Sequence, residues 1–90
     1  ILNVAFLVPS LRREWGGCAG NIGYNLKLLG GDPLVMATVG DDAGPYLQHL
    51  DDLGLPRTHV RNVEGTLTAQ AFITTDLDDN QITAFHPGAM

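Results

Sequence analysis

The sequence predicts an α/β fold in which a parallel β-α-β core is joined to a smaller β-rich part. Two segments place apolar residues at helical spacing, and glycine follows each of them. A continuous apolar run lies between these segments, as is typical of a strand buried on both faces of a parallel sheet. Near the end of the chain, two strand-like segments flank a polar turn, which is the pattern of a β-hairpin.

The first half of the chain contains three predicted strands and one predicted helix. Residues 3–8 are rich in strand formers, and residues 11–15 can form a second short strand. Residues 19–29 have apolar side chains at helical spacing, and the helix is expected to stop at the glycine pair 30–31. The strand buried in the core is expected at residues 34–39.

The second half continues the alternation and then changes character. A second amphipathic helix is predicted over residues 43–53, and the next strand over residues 58–63. Because strands and helices alternate here, we expect parallel strands joined by right-handed crossovers. Residues 68–75 and 81–85 read as the two strands of a hairpin, with residues 76–80 as its polar turn.

Composition and charge exclude several classes of function. The chain is 44% hydrophobic and 17% charged, which is too apolar for a disordered segment. It has no apolar run long enough for a transmembrane helix and no basic segment typical of a signal peptide. The formal net charge is −5, and the five basic residues are scattered, so we expect no nucleic-acid partner. Because there is no candidate span, we expect no membrane partner either.

Cysteine and histidine usage indicates a compartment and argues against a metal site. The single cysteine, Cys18, cannot form a disulfide within the chain, which fits the reducing cytoplasm. The three histidines have no metal-ligand spacing with one another or with Cys18: His49, His59 and His86. We therefore predict no metal-binding residues in this chain.

The most informative motif is a glycine pair placed at the start of the first helix. Gly16 and Gly17 lack a Cβ, so the backbone there can approach a ligand closely. A helix start also offers unpaired N–H donors and the positive end of the helix dipole to an oxygen-rich ligand. The motif therefore predicts a binding site, although a tight strand-to-helix connection without a ligand would use the same glycines.

Asn21 follows this glycine pair and is a candidate for direct contact with a substrate. Its amide carries both donors and an acceptor, which suits the neighbouring hydroxyls of a sugar ring. Asparagine is also favoured as a helix cap, so a purely structural role is the competing interpretation.

The spacing of small residues around Asn21 resembles the first signature of the ribokinase-like, or PfkB, family of carbohydrate and nucleoside kinases. Six residues fall at the positions of that signature: Gly16, Gly17, Ala19, Asn21, Gly30 and Gly40. Gly23 departs from it, because the family prefers Ser, Thr or Ala there. Residues 39–44 look like the family's GxDxxG turn, and residues 86–90 resemble its Gly-Ala-Asn turn with Met90 in place of Asn.

The resemblance covers almost the whole chain. The sequences of residues 16–21 and 68–72 are most similar to bacterial adenosine-kinase-like members of the family. The resemblance implies an enzyme that transfers the γ-phosphoryl group of ATP to a hydroxyl of a sugar or nucleoside, with Mg²⁺ as the metal. Members of the family are considerably longer than this chain, so we expect an N-terminal fragment. The catalytic Asp and most of the ATP and Mg²⁺ contacts are expected outside it, and the fragment alone is expected to be inactive.

The same resemblance divides the chain into an α/β core and a small β-sheet lid, which form part of a larger domain. Residues 1–15 are expected to supply lid strands, residues 16–65 the core with the substrate-site glycine turn, residues 66–86 the lid hairpin, and residues 87–90 the return to the core. Closure of such a lid would exclude water from the reacting phosphoryl group. An exposed edge of the lid sheet makes a homodimer through the lid strands possible.

Two residues of the predicted lid hairpin are candidates for contact with a nucleobase. Gln70 and Phe72 are two positions apart in a strand, so they face the same way. An amide and an aromatic ring on one face can bind a base by hydrogen bonding and stacking, although a half-buried strand face has the same pattern. The roles of Asp41 and Cys18 stay open: Asp41 fits a helix cap and a substrate-side position equally well.

Two further functions compete with the kinase. The spacing of glycines over residues 17–23 is close to the fingerprint of a dinucleotide-binding Rossmann unit, with Asp41 as a possible ribose-binding acid. The first interval of that fingerprint is one residue too long, and Gly40 separates the acid from the strand end. The other alternative is a non-catalytic fragment or interaction domain.

Overall fold

The computed structural model describes residues 1–90 and contains two helices and four strands. In chain order these are α1 (Cys18–Leu28), β1 (Met36–Val39), α2 (Gly44–Asp52), β2 (His59–Asn62), β3 (Gln70–Thr75) and β4 (Gln81–His86). The predicted α/β class is confirmed, and each of these six elements overlaps its predicted segment.

The core of the fold is a parallel pair of strands connected through α2. β1 and β2 pair in parallel, with Met36 opposite His59 and Val39 opposite Asn62. Apolar side chains from the strand, the second helix and the connecting segments are buried together: Val35, Val39, Ala43, Leu50 and Leu55. This cluster fixes α2 against the sheet, as expected for a β-α-β unit.

Glycine ends both helices, as the sequence predicts. After α1, Gly30 adopts a φ of 86°, and the Gly31 N–H donates to the Leu26 carbonyl oxygen at 2.9 Å. After α2, Gly54 adopts a φ of 71°, and the next N–H closes back on the Leu50 carbonyl oxygen at 2.9 Å. A positive φ lets the last carbonyl groups of a helix be satisfied within one turn, and glycine reaches it without strain.

The predicted hairpin forms as a separate two-stranded sheet. β3 and β4 pair antiparallel, with Gln70 opposite His86 and Thr75 opposite Gln81. The turn between them is closed by Asp76, whose Oδ1 accepts the N–H groups of Asp78 at 2.8 Å and Asn80 at 2.9 Å. A hydrogen bond from the Asn80 side chain contributes most to lowering the pKa of Asp76, and the two N–H bonds act in the same direction.

The predicted strands over residues 3–8 and 11–15 are absent. No residue before Cys18 belongs to a helix or a strand. A strand is defined by the ladder it forms with a neighbour, and the strands present in this chain pair only as β1 with β2 and β3 with β4. Strand propensity over residues 3–15 is therefore not sufficient, and the expected contribution of residues 1–15 to a lid sheet is not seen.

Candidate substrate-binding site at the start of the first helix

The glycine pair forms an open turn that leads directly into α1. Gly17 is the residue before the helix and has φ 97° and ψ 139°, a conformation that residues with a side chain rarely adopt. No heavy atom lies within 4 Å of the place where a Cβ would stand on Gly16 or Gly17. The turn is therefore accessible to a ligand, and the conformation of Gly17 requires glycine even though space is available.

The first turn of α1 keeps free hydrogen-bond donors. Its first bond runs from the Asn21 N–H to the Gly17 carbonyl oxygen at 3.1 Å, and no side chain caps the helix. The N–H groups that precede Asn21 in this turn have no helical acceptor. With the positive end of the helix dipole, they favour an oxygen-bearing ligand beside the glycines.

The side chain of Asn21 is exposed and makes no hydrogen bond within the chain. Its backbone is engaged: the N–H donates to Gly17, and the carbonyl oxygen accepts from Asn25 Nδ2 at 2.9 Å. Because Asn21 lies inside α1 and caps nothing, the competing interpretation as a helix cap is wrong. Its amide remains free to bind a hydroxyl group.

A cavity of about 240 Å³ opens between the glycine turn and α2. Two of the predicted site residues, Gly16 and Asn21, line it. The other lining residues are mostly aromatic and aliphatic: Trp15, Gly20, Tyr24, Tyr46, His49, Leu50 and Leu53.

Aromatic stacking holds the residue before the glycine pair against α2. The Trp15 ring stacks on His49 with centroids 5.4 Å apart, and it meets Tyr46 edge-on at 5.7 Å. Burial raises the pKa of Tyr46. Gly20 passes so close to the Tyr46 hydroxyl oxygen that a Cβ there would collide with it. The sequence reasoning missed this cluster, although Tyr46 and His49 are three positions apart in α2 and so share a face.

The two predicted base-contact residues lie on the hairpin and do not line this cavity. Gln70 and Phe72 share a face of β3 with their cross-strand partners His86 and Ala84. Phe72 is 59% exposed, whereas Gln70 is half-buried with its Nε2 3.4 Å from Asp42 Oδ2. The structure thus brings Gly16, Gly17 and Asn21 together and leaves the hairpin pair apart from them.

The two acidic residues after β1 anchor loops instead of capping α2. Asp41 Oδ2 accepts the Gly65 N–H at 2.8 Å, and its Oδ1 accepts from Asn62 Nδ2 at 3.2 Å. Neither acid caps α2, which has no side-chain cap. The capping interpretation of Asp41 is therefore wrong, and Cys18 is an exposed free thiol in the first turn of α1.

Asp42 connects the end of β1 to the beginning of the hairpin, a role the sequence reasoning missed. Its Oδ1 accepts both the N–H and the hydroxyl of Thr68, at 2.8 and 2.7 Å. These bonds lower the pKa of Asp42, and the positive charge of Arg13 acts in the same direction. The partners are 26 positions apart in the chain, so no local pattern signals their contact.

No three side chains of His, Cys, Asp or Glu come together as ligands for a metal ion. Neither helix has the length and apolar character needed to cross a bilayer.

A parallel β-α-β core, an open glycine turn at a helix start and an attached hairpin together define a ribokinase-like fold. The chain belongs to the pfkB family of carbohydrate kinases, whose profile matches residues 2–90. The resemblance inferred from the glycine spacing is thereby confirmed. Membership of this family favours the kinase over the dinucleotide-binding alternative.

Nucleoside kinases are among the most similar proteins of known structure. The nucleoside kinase of Burkholderia thailandensis in complex with inosine is 64% identical, with a TM-score of 0.87 over 98% of this chain and 29% of that protein. The same enzyme in complex with ADP-inosine is 65% identical, with a TM-score of 0.78 over 97% of this chain and 28% of that protein.

An archaeal relative gives the same fold at lower identity. The nucleoside kinase of Methanocaldococcus jannaschii, a member of the ribokinase family, is 35% identical, with a TM-score of 0.89. The match covers 97% of this chain and 30% of that protein. This chain therefore spans less than a third of the length of the relatives that it matches.

Proposed function

We propose that this chain is the substrate-binding and lid portion of an ATP-dependent kinase that phosphorylates a nucleoside hydroxyl. The observation that carries the proposal is the open, uncapped start of α1, where the free amide of Asn21 stands beside Gly16 and Gly17. Similarity to nucleoside kinases at 64% and 35% identity supports the substrate class. The parent kinase is a kinase of the relatives' full length that contains this chain.

The proposed role of this site is to hold the sugar ring. The Asn21 amide can donate to one ring hydroxyl and accept from its neighbour. Gly16 and Gly17 let the backbone approach the ring, and the free N–H groups at the start of α1 can bind a further oxygen. Fixing the acceptor in this way lowers the barrier by orienting its hydroxyl for transfer.

The chemistry itself is proposed to depend on groups outside this chain. ATP supplies the phosphoryl group, and Mg²⁺ neutralises its charge when bound. The described residues form no three-ligand cluster for such an ion, and its ligands are proposed to lie outside this chain. An Asp outside the chain is proposed to take the proton of the acceptor hydroxyl.

Gln70 and Phe72 are proposed to read the base when the hairpin closes over the sugar. Phe72 offers an exposed aromatic face, and Gln70 on the same side of β3 carries an amide. The resemblance favours adenosine or a ribose-type substrate, whereas inosine is the nucleoside bound by the Burkholderia relative. We therefore propose a purine nucleoside as the acceptor.

The exposed hairpin also supports a proposal about assembly and location. Each of β3 and β4 pairs on one edge only, and apolar side chains are exposed along them: Phe72, Ile73, Ile82 and Phe85. An unpaired, apolar edge favours pairing with a second copy, so we propose a homodimer through the lid strands. We place this kinase in the cytoplasm, where the free thiol of Cys18 stays reduced.

The test is ATP-dependent phosphorylation by the parent kinase of adenosine, inosine, ribose and fructose. Turnover of a purine nucleoside is the expected result, and turnover of free sugars alone would overturn the substrate class. Asn21→Ala is expected to lower kcat/KM by about 5- to 150-fold, which corresponds to loss of one or two hydrogen bonds of about 1–3 kcal/mol in total.

Gln48→Ala is the matched control for this variant. It removes an amide on α2 that bonds only to Asp52, and it should leave kcat/KM unchanged. Equal kcat/KM for Asn21→Ala and the wild type would show that Asn21 does not bind the acceptor.

A further inference from the structure

The hairpin is joined to the core by a compact network around the end of β1. The first leg of the hairpin, residues 67–70, passes over Gly40 and Asp42. Gly40 packs against the backbone of Leu67, with only 2.6 Å between the position of a Cβ and the Leu67 Cα. The hairpin thus leaves the core through a junction in which little space is free.

Thr68 is the central partner in the first leg. Its hydroxyl donates to Asp42 Oδ1 at 2.7 Å and accepts from the Gly40 N–H at 3.0 Å, while its own N–H also donates to Asp42 Oδ1 at 2.8 Å. Asp42 Oδ2 meets Gln70 Nε2 at 3.4 Å. One carboxylate therefore contacts two side chains, two positions apart, where the chain enters β3.

The second leg is fixed to the same place. The Ala89 N–H donates to the Leu67 carbonyl oxygen at 2.8 Å, and the Ala89 carbonyl oxygen accepts from the Thr38 hydroxyl at 2.8 Å. Gly88 turns the chain with a φ of 54°, and a Cβ there would collide with the Leu67 carbonyl oxygen. Both legs are thus held together, so a change at Asp42 acts on the hairpin as a unit.

We propose that Asp42 is a positioning residue that sets the direction in which the hairpin leaves the core. Through Thr68 and Gln70 it determines where the face that carries Phe72 stands relative to the glycine turn. Asp42 does not line the cavity beside Asn21 and acts only through these partners. The inference rests on the proposed function, in which the hairpin closes over the acceptor.

The hydrogen bonds to Asp42 are charge-assisted and mutually dependent. A hydrogen bond to an ionised carboxylate is stronger than one between neutral groups. An amide in place of the carboxylate keeps one acceptor oxygen for Thr68 but loses the charge, and its NH₂ group then faces Gln70 Nε2 where Oδ2 had accepted. Exposure to solvent weakens the effect on overall stability, so the consequence is expected in the orientation of the hairpin more than in global unfolding.

The experiment compares four variants of the parent kinase: Asp42→Asn, Thr68→Val, Thr68→Ser and Asp52→Asn. Asp42→Asn removes the charge, Thr68→Val removes the hydroxyl, and Thr68→Ser keeps it. Asp52→Asn is the control, because it changes an exposed acid that bonds only to Gln48 in α2. We expect Asp42→Asn and Thr68→Val to raise the KM for the nucleoside about tenfold, the loss of one charge-assisted bond. The KM for ATP, and all constants of the other two variants, should stay within twofold.

A purely structural role would give a different pattern. Unchanged nucleoside KM in Asp42→Asn, or parallel loss of nucleoside and ATP binding with a lowered Tm, would overturn the proposal. So would a Thr68→Ser variant as defective as Thr68→Val, since serine retains the hydroxyl that carries the bonds.

Amide hydrogen exchange in the absence of substrate separates this inference from the proposed function. Asp42→Asn should speed exchange at Thr68 and along β3 relative to β1, whereas Asp52→Asn should not. A wild-type parent kinase without nucleoside turnover would refute the proposed function, and the exchange result would still decide whether Asp42 holds the hairpin. Unchanged exchange in Asp42→Asn would refute the positioning role even in an active kinase.

Discussion

Replacing Gly17 by alanine tests whether the turn before α1 requires glycine for its backbone conformation. Gly17 has φ 97° and ψ 139°, and no heavy atom lies within 4 Å of the Cβ that the substitution would add. The cost of Gly17→Ala is therefore conformational and not steric. Holding a residue with a side chain in such a region costs about 1–3 kcal/mol.

Gly16→Ala provides the control, because Gly16 has the same open surroundings but no positive φ. We expect Gly17→Ala to lower the free energy of unfolding of the parent kinase by about 1–3 kcal/mol, and Gly16→Ala to leave it nearly unchanged. Urea unfolding followed by circular dichroism measures the difference between the two. Equal stability of the two variants would refute the argument that Gly17 is required for its dihedral angles.

Three further predictions concern the core, the hairpin junction and pH. Leu50 is 1% exposed, so Leu50→Ala should cost about 2–5 kcal/mol in the free energy of unfolding, measured by urea titration. Gly88→Ala should destabilise the parent kinase by at least about 1 kcal/mol, because its positive φ and the contact with the Leu67 carbonyl oxygen both exclude a Cβ; differential scanning calorimetry measures it. Hydrogen bonds from Thr68 lower the pKa of Asp42 below its ordinary value of 3.8, so its contribution to stability is complete above that pH and is lost as the pH falls through the lower folded-state pKa. Asp42→Asn should remove this part of the acid dependence, measured as Tm against pH.

Local patterns in the sequence were sufficient to predict the helices, the parallel strands and the hairpin. Apolar spacing and a terminating glycine are properties of neighbouring residues, so α1 and α2 begin and end within one residue of the prediction. Strand propensity is different, because a strand exists only with a partner. Residues 3–15 have the propensity but no partner among the described strands, and the two predicted strands are absent.

The same distinction explains which parts of the site could be predicted. The glycine spacing was enough to predict the three candidate residues that lie within six positions of one another: Gly16, Gly17 and Asn21. The contact of Asp42 with Thr68 joins residues 26 positions apart and depends on how the hairpin returns to the core. Sequence reasoning left Asp41 open between a helix cap and a substrate-side position, whereas its carboxylate accepts from the Asn62 side chain and the Gly65 N–H.

The division of the proposed site into two parts also bears on how the acceptor is selected. Asn21 and the glycine turn offer groups that bind hydroxyls, and hydroxyls are common to free sugars and nucleosides. Discrimination between these acceptors therefore has to come from groups that meet the base, the role proposed for Gln70 and Phe72 of the hairpin. Gln70 Nε2 lies 3.4 Å from Asp42 Oδ2, so one N–H of the amide is engaged there, whereas its oxygen and second N–H are open to a base. The long distance makes this contact the weakest that Asp42 forms, so it is the bond most readily exchanged for one to a substrate while Thr68 keeps the hairpin in place.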